Sequence, residues 1–150
     1  MLKIFFSLVL IFIFTFSFNV KAENTDYFLM LKYDKVNVRY GPNKDDQIKF
    51  VYKKKYLPLK VIDKKENFRK IIDHKNNSGW IHISQLKSVK SLIILEDKIV
   101  FKKNSLYSKP LARLKKGKLV LIKNCKDNWC KVRANQLKGW LNTKNVWGID

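Results

Sequence analysis

The feature that most limits how this chain can fold is that it repeats itself. "FVYKKKYLPLKVIDKKENFRKI" (50–71) aligns with "ARLKKGKLVLIKNCKDNWCKV" (112–132) with one gap, and "SGWIHISQL" (78–86) aligns with "KGWLNTKNV" (138–146). Phe68 falls on Trp129, Ile71 on Val132, Gly79-Trp80-Ile81 on Gly139-Trp140-Leu141 and Leu86 on Val146, with an offset that drifts from 62 to 60 residues as loop insertions make it. A repeat of this size makes each copy one small structural unit. The units are assigned to 23–87 and 92–150, joined near "KSVKS". Nothing in that joint has the composition of a long flexible linker, so the two are expected to pack together.

Within each copy helical periodicity is weak. Short alternating apolar runs dominate, broken by Gly, Pro, Asn and Asp, which is the pattern of strands and tight turns. Strands are expected over 35–39, 57–62, 68–73, 79–83, 92–95, 99–101, 119–123, 130–133 and 139–141. "ENF", "HKNNSG" and "KDN" carry turn chemistry between them. The chain reads as all-β.

These residues resemble the bacterial Src-homology-3-like (SH3-like) domains. "KVNVRYGPNKDD" (35–46) is similar to that family's opening strand and loop, a hydrophobic-Asn-Val-Arg-x-Gly-Pro stretch, and Gly-Trp followed by an aliphatic residue is similar to its closing strand. The tandem arrangement, "NWCKV" and the terminal "VWGI" resemble a subgroup of exported two-module proteins common in alphaproteobacteria. The second copy departs from the opening motif, since "VFKKNSLYSKP" (100–110) lacks both Asn-Val-Arg and Gly-Pro. The resemblance implies two small, five- or six-stranded, partly open barrels in tandem. It also implies a non-catalytic targeting or binding role, often toward cell-wall peptides or as an accessory to wall hydrolases.

The N-terminus sets the compartment. "MLKIFFSLVLIFIFTFSFNVKA" has one Lys, an apolar run over 4–18, and Val20 and Ala22 at the positions that precede a signal-peptidase cut. A signal-peptide helix over 1–22, cleaved near Ala22, is expected, and the run is short of the roughly 20 apolar residues that a membrane-spanning helix prefers. The alternative is an uncleaved N-terminal membrane anchor. In either case the folded part is periplasmic or secreted.

The formal net charge is +20, from 32 basic and 12 acidic residues. Only Arg39, Arg69, Arg113 and Arg133 are arginines, so 28 of the 32 are lysines. Lysine drift from an AT-rich genome, spread over solvated faces, accounts for the excess in one way. Attraction to an anionic wall polymer, lipid surface or nucleic acid accounts for it in another. Export and the scarcity of arginine's bidentate fork make nucleic acid the poorest fit of these.

Gly41-Pro42 sets a turn after the first motif's strand. Gly79 and Gly139 are expected where backbone passes closely under a neighbouring strand. In so small a barrel Trp80 and Trp140 are placed preferentially in the core, with a ligand platform as the alternative. Asn37 and Arg39 are read as holding the loop that follows them and as candidate ligand contacts, and Tyr40 as an exposed aromatic. Tyr52 and Tyr56 flank "KKK", either as aromatic-plus-basic character or as part of a solvated turn.

No catalytic or metal site is expected, and no cofactor. The chain lacks a Gly-x-Ser-x-Gly elbow. Its two histidines, His74 and His82, both read as exposed. A signal and two repeats leave no separate catalytic domain in this sequence. One Cys-x4-Cys pair with two distant histidines does not match zinc-ligand spacing, nor the Cys-x-x-Cys of redox proteins. In an oxidising compartment an even cysteine count favours a disulfide. Cys125 and Cys130 flank the "KDN" turn, and counting by twos puts Cys125 on the face of Leu119 and Leu121 and Cys130 on that of Val132. If those aliphatics define the inner face, both sulfurs point to the same side and a cross-strand bond is feasible between the strands that "KDN" joins. Its first-copy counterparts are Lys64 and Arg69, so the bond is an addition to the second module.

Overall fold

Each of the nine expected strands has its counterpart in the computed structural model, which describes residues 26–149. The first module runs β1 (Tyr27–Leu31), β2 (Val36–Arg39), β3 (Ile48–Tyr52), β4 (Pro58–Lys65), β5 (Phe68–Ile72), β6 (Ser78–His82) and β7 (Leu86–Ser88). The second repeats it as β8 (Ser91–Ile94), β9 (Lys98–Phe101), β10 (Pro110–Leu114), β11 (Leu119–Lys126), β12 (Trp129–Ala134), β13 (Leu137–Asn142) and β14 (Val146–Trp147). Among the described residues the one helical element is a 3-10 turn, Ile83–Gln85. The segment assigned to the signal peptide lies outside the described residues.

The sheets have the same hydrogen-bonded order, β3-β2-β6-β5-β4-β1-β7 and β10-β9-β13-β12-β11-β8-β14. The fold is therefore all-β and duplicated strand for strand. Each module has seven strands rather than five or six, because the short closing strands β7 and β14 pair onto β1 and β8.

Alternation sorts the side chains. Val36 and Val38 of β2, Leu59 and Val61 of β4, Ile71 of β5 and Ile81 of β6 point inward and are buried. Val100, Val120, Cys130, Val132 and Leu141 do the same in the second barrel. Closure brings β2 across β6 at Arg39↔Trp80, and β9 across β13 at Phe101↔Trp140. A Cβ at Gly79 would come within 2.9 Å of the Arg39 carbonyl oxygen, and one at Gly139 within 2.8 Å of that of Phe101. Both glycines thus admit the crossing strand.

The disulfide is formed between Cys125 and Cys130, a directly opposed pair on β11 and β12. The face expected for it needs correcting. Val120 is the buried residue of β11, whereas Leu119 packs on the first module and Leu121 lines a cleft between the modules. A bulge between Ile122 and Asn124 shifts the register by one, which returns Cys125 to the Val120–Ile122 face and opposite Cys130. The same bulge occurs in the first module between Val61 and Asp63, where Lys64 opposes Arg69.

The two barrels share packed surface. All four residues of β8 are buried. Its alternating faces serve both modules: Leu92 and Ile94 enter the second core, and Ile93 enters the first. Ser91 Oγ donates to the Tyr56 carbonyl at 2.6 Å. From β14, Trp147 Nε1 donates to the Pro58 carbonyl at 3.0 Å, and its ring stands edge-on to Phe28 at 5.2 Å. Burying a side chain such as Ile93 contributes about 2 kcal/mol, so this joint holds as a core does.

One turn differs sharply between the copies. Before β11, Gly117 takes φ +83 and its N–H bonds the Ile94 carbonyl. At the equivalent place before β4 stands Tyr56, with φ 66 and its N–H on the Leu31 carbonyl. A left-handed backbone costs an L-residue about 1–2 kcal/mol.

Candidate functional site

The repeat places a cleft on the outer face of each barrel, between the loop after β2 or β9 and the end of β6 or β13. In the first module it measures about 300 Å³ and is lined by Asn37, Arg39, Lys44, Phe68, His82, Ser84 and Gln85. In the second it measures about 420 Å³, and Ile99, Phe101, Leu106, Asn142 and Lys144 stand at the positions of Asn37, Arg39, Lys44, His82 and Ser84. The amide and guanidinium of Asn37 and Arg39 are thus replaced by the aliphatic and aromatic carbon of Ile99 and Phe101, while Glu96, Asp97, Lys98, Asn142 and Lys144 keep the rest of the second cleft polar.

The first cleft is built locally. Val36 and Val38 point inward, so Asn37 and Arg39 stand outside, half-buried. Arg39 Nη1 donates to the Asp46 carbonyl at 2.6 Å, and Asp46 Oδ2 accepts the Asn43 N–H at 2.8 Å. Tyr40 N–H bonds the Gln47 carbonyl at 3.1 Å. A side chain at Gly41 would collide with the Asp46 carboxylate, so the Gly41-Pro42 corner leaves that group room to hold the loop. Tyr40 is 62% exposed, with Lys49 Nζ 5.6 Å from its ring centre. In the second module the loop is tied by serine instead: Lys103 N–H bonds Ser108 Oγ, and Tyr107 N–H bonds Ser105 Oγ. Leu106 and Tyr107 stand 69% and 100% exposed at its tip.

The tryptophans correct an expectation. Trp80 opposes Lys70 and Trp140 opposes Lys131, on the faces turned away from Ile71–Ile81 and Cys130–Leu141. Both are half-buried on the outer surface and belong to neither core. Strict alternation carries this signal, because Gly79 and Ile81 cannot point inward unless Trp80 and His82 point out. Phe68 and Trp129 also lie on these outer faces. Phe68 meets the His82 ring edge-on at 5.1 Å, and Trp129 meets Phe101 at 5.9 Å.

His82 is half-buried rather than exposed as expected. It caps the 3-10 turn: its Nδ1 accepts the Ser84 N–H at 3.3 Å and lies 2.7 Å from Ser84 Oγ. With the backbone donor fixed on Nδ1, the neutral ring carries its proton on Nε2. His74 is not exposed as expected but half-buried, and desolvation holds its imidazole below the ordinary histidine range.

A second polar arrangement pins the first module beside the cleft. Asp73 is buried and accepts the Lys75 and Asn77 N–H groups, Asn77 Nδ2 and, at 3.0 Å, the Tyr52 hydroxyl. Burial pushes its carboxyl up, but the Asn77, Lys75 and Tyr52 hydrogen bonds outweigh that and hold it below the ordinary range. Burial, then the Asp73 charge, pushes the Tyr52 phenol far up. Among the described residues no three His, Cys, Asp or Glu side chains gather as a metal site would require.

Comparison with known proteins agrees with the duplicated fold. The family model described as bacterial SH3 domain matches residues 32–88 and again 100–148. No curated protein matches the chain. Solved structures similar to it include NlpC2 and NlpC1 from Trichomonas vaginalis, each 11% identical over 83% of this chain with a TM-score of 0.38. The chain spans about half of each, 49% and 46% respectively.

Proposed function

Because the chain belongs to the bacterial SH3 domain family, which it contains in two copies, we propose that it is an exported, non-catalytic binding protein that attaches to peptidoglycan. Domains of this family are commonly cell-wall-binding modules. The cross-strand disulfide fits an oxidising compartment such as the periplasm or the exterior.

The observation that carries the reading is the outer cleft of the first module. Asn37, Gln85, Ser84 and His82 Nε2 offer donors and acceptors at fixed spacing, and Arg39 adds a cation. The Phe68 ring lines it as an apolar face, Trp80 opposes the lining residue Arg39 across the closing strands, and Tyr40 follows Arg39 with its ring exposed. Hydrogen-bonding groups beside aromatic rings suit a sugar–peptide ligand, whose own surface alternates hydroxyl, amide and carbon. A cell-envelope protein is the second partner class. It is favoured by the second module, where Ile99, Leu106, Tyr107 and Leu111 leave apolar carbon exposed.

Charge alone is the competing account, with anionic lipid or another polyanion as partner. Mixing the purified protein with sacculi, heparin and anionic vesicles across a salt series separates them. Binding through the cleft persists on sacculi as salt rises, whereas charge-driven binding collapses on all three, because screening shortens to about 3 Å near 1 M salt. Collapse on sacculi contradicts the proposal.

A further inference from the structure

A third cavity lies between the modules, away from both outer clefts. It measures about 500 Å³, within the range of small-molecule sites. Met30, Leu121, Ile122 and Val132 form an apolar floor. Around it stand Lys87, Lys90, Lys123, Lys131, Arg133 and Lys138, and no acidic side chain lines it. The ion pairs among the described residues, Lys60–Asp26, Lys98–Glu96 and Lys115–Asp97, use none of these six cations. Lys90, Lys123, Arg133 and Lys138 are solvent-exposed and Lys87 and Lys131 half-buried, so the six form a cationic rim around an apolar floor between two barrels that Ser91, Ile93 and Trp147 hold in fixed relation.

Tyr56 supplies an independent observation. It lines this cavity while occupying the left-handed turn position that its twin fills with Gly117. The strained backbone is retained with an aromatic side chain, and Lys87 Nζ lies 4.7 Å from its ring centre. Of the six non-glycine residues with positive φ among the described residues, Tyr56 is the one aromatic, and strain of this kind clusters at functional sites. A glycine would form the same turn without strain, so the ring itself is what the position supplies.

We propose that the inter-module cleft binds a single-chain anionic amphiphile, with its hydrocarbon on the Met30–Leu121–Val132 floor and Tyr56, and its anionic head among the six cations. An anion without a chain would leave the floor wet. A neutral chain would leave six cations unmatched.

The probes are dodecyl phosphate below its micelle concentration, inorganic phosphate and dodecanol, titrated calorimetrically into the folded protein. Dodecyl phosphate is expected to bind saturably at one per chain, and the other two at least tenfold more weakly. Tyr56→Gly is the discriminating variant, since it removes the ring and relieves the turn. It is expected to lose at least tenfold in affinity for dodecyl phosphate while its melting temperature stays level or rises. Lys131→Gln keeps the floor and is expected to weaken binding severalfold. Absence of saturable binding, equal binding of inorganic phosphate, or undiminished binding by Tyr56→Gly overturns the proposal.

Discussion

The two modules share one backbone plan and hold it with different chemistry. In the first, buried Asp73 gathers the turn before β6 and the Tyr52 hydroxyl into a polar knot. At the corresponding places the second has Leu114 and Ala134, packed against its core. The second instead closes its β11–β12 hairpin with a disulfide, at a pair of positions filled in the first by Lys64 and Arg69. The clefts differ in the same way, with Asn37, Arg39 and His82 against Ile99, Phe101 and Asn142. Duplication fixed what the barrel requires, namely the inward aliphatics, the bulge and the glycine under the crossing strand. Everything outside that set was free to diverge, and the divergence gives the modules different surfaces.

If that division is right, the shared features carry equal weight in both copies. Gly79→Ala and Gly139→Ala each force a Cβ against a carbonyl oxygen of the crossing strand, and each is expected to destabilise by about 3 kcal/mol in urea denaturation. A large inequality breaks the equivalence of the modules. Because β8 is buried between the barrels, unfolding is expected as one transition, and two resolved transitions would show that the joint is weaker than its packing implies.

Features that are not shared should be separable. Replacing Cys125 and Cys130 by Ala removes a short closed loop and is expected to cost about 2 kcal/mol. The same denaturation series reads it. Tyr52→Phe deletes one hydrogen bond to the Asp73 carboxylate and is expected to cost about 1.5 kcal/mol at pH 7. The depressed Asp73 titration fixes the sign of the pH dependence. Its stabilisation is present above the unfolded carboxylate value of about 3.9 and is lost as pH falls through the lower folded value. The gap between wild type and Tyr52→Phe should therefore close below about pH 4, and a gap that widens there contradicts the knot. The smallest effect expected is a gain. Lys64→Cys with Arg69→Cys transplants the staple into the matching register of the first module, and should add about 1 kcal/mol after the Arg69–Tyr27 hydrogen bond is lost.

Much of this was legible from residues alone, for physical reasons that can be named. Self-alignment revealed the modules because inward positions tolerate few side-chain types. Nine strands showed themselves by alternation. Five did not: β1, β3, β7, β10 and β14. "YFLML" of β1 is apolar throughout, because one side faces its own barrel while Phe28 meets Trp147 of the second module. β3 and β10 are edge strands with little to bury, and β7 and β14 are too short to show a period. The disulfide was found although a bulge had inverted the face on which it was argued, since parity counting cannot see an inserted residue. The orientation of Trp80 and the Tyr56–Gly117 exchange were both readable in the repeat. The cleft between the modules was not, because it depends on how two barrels meet.

The central claim is that the first module's outer face, not charge and not the second module, recognises the cell wall. Co-sedimentation with purified sacculi at about 1 M salt, where screening leaves only close contacts, tests it with three variants. Tyr40→Ala and Trp80→Ala are each expected to lose most of the binding that wild type retains, and Trp140→Ala, the counterpart of Trp80, is expected to retain it. Wild-type protein that fails to sediment at that salt, or equal losses in Trp80→Ala and Trp140→Ala, would contradict the account.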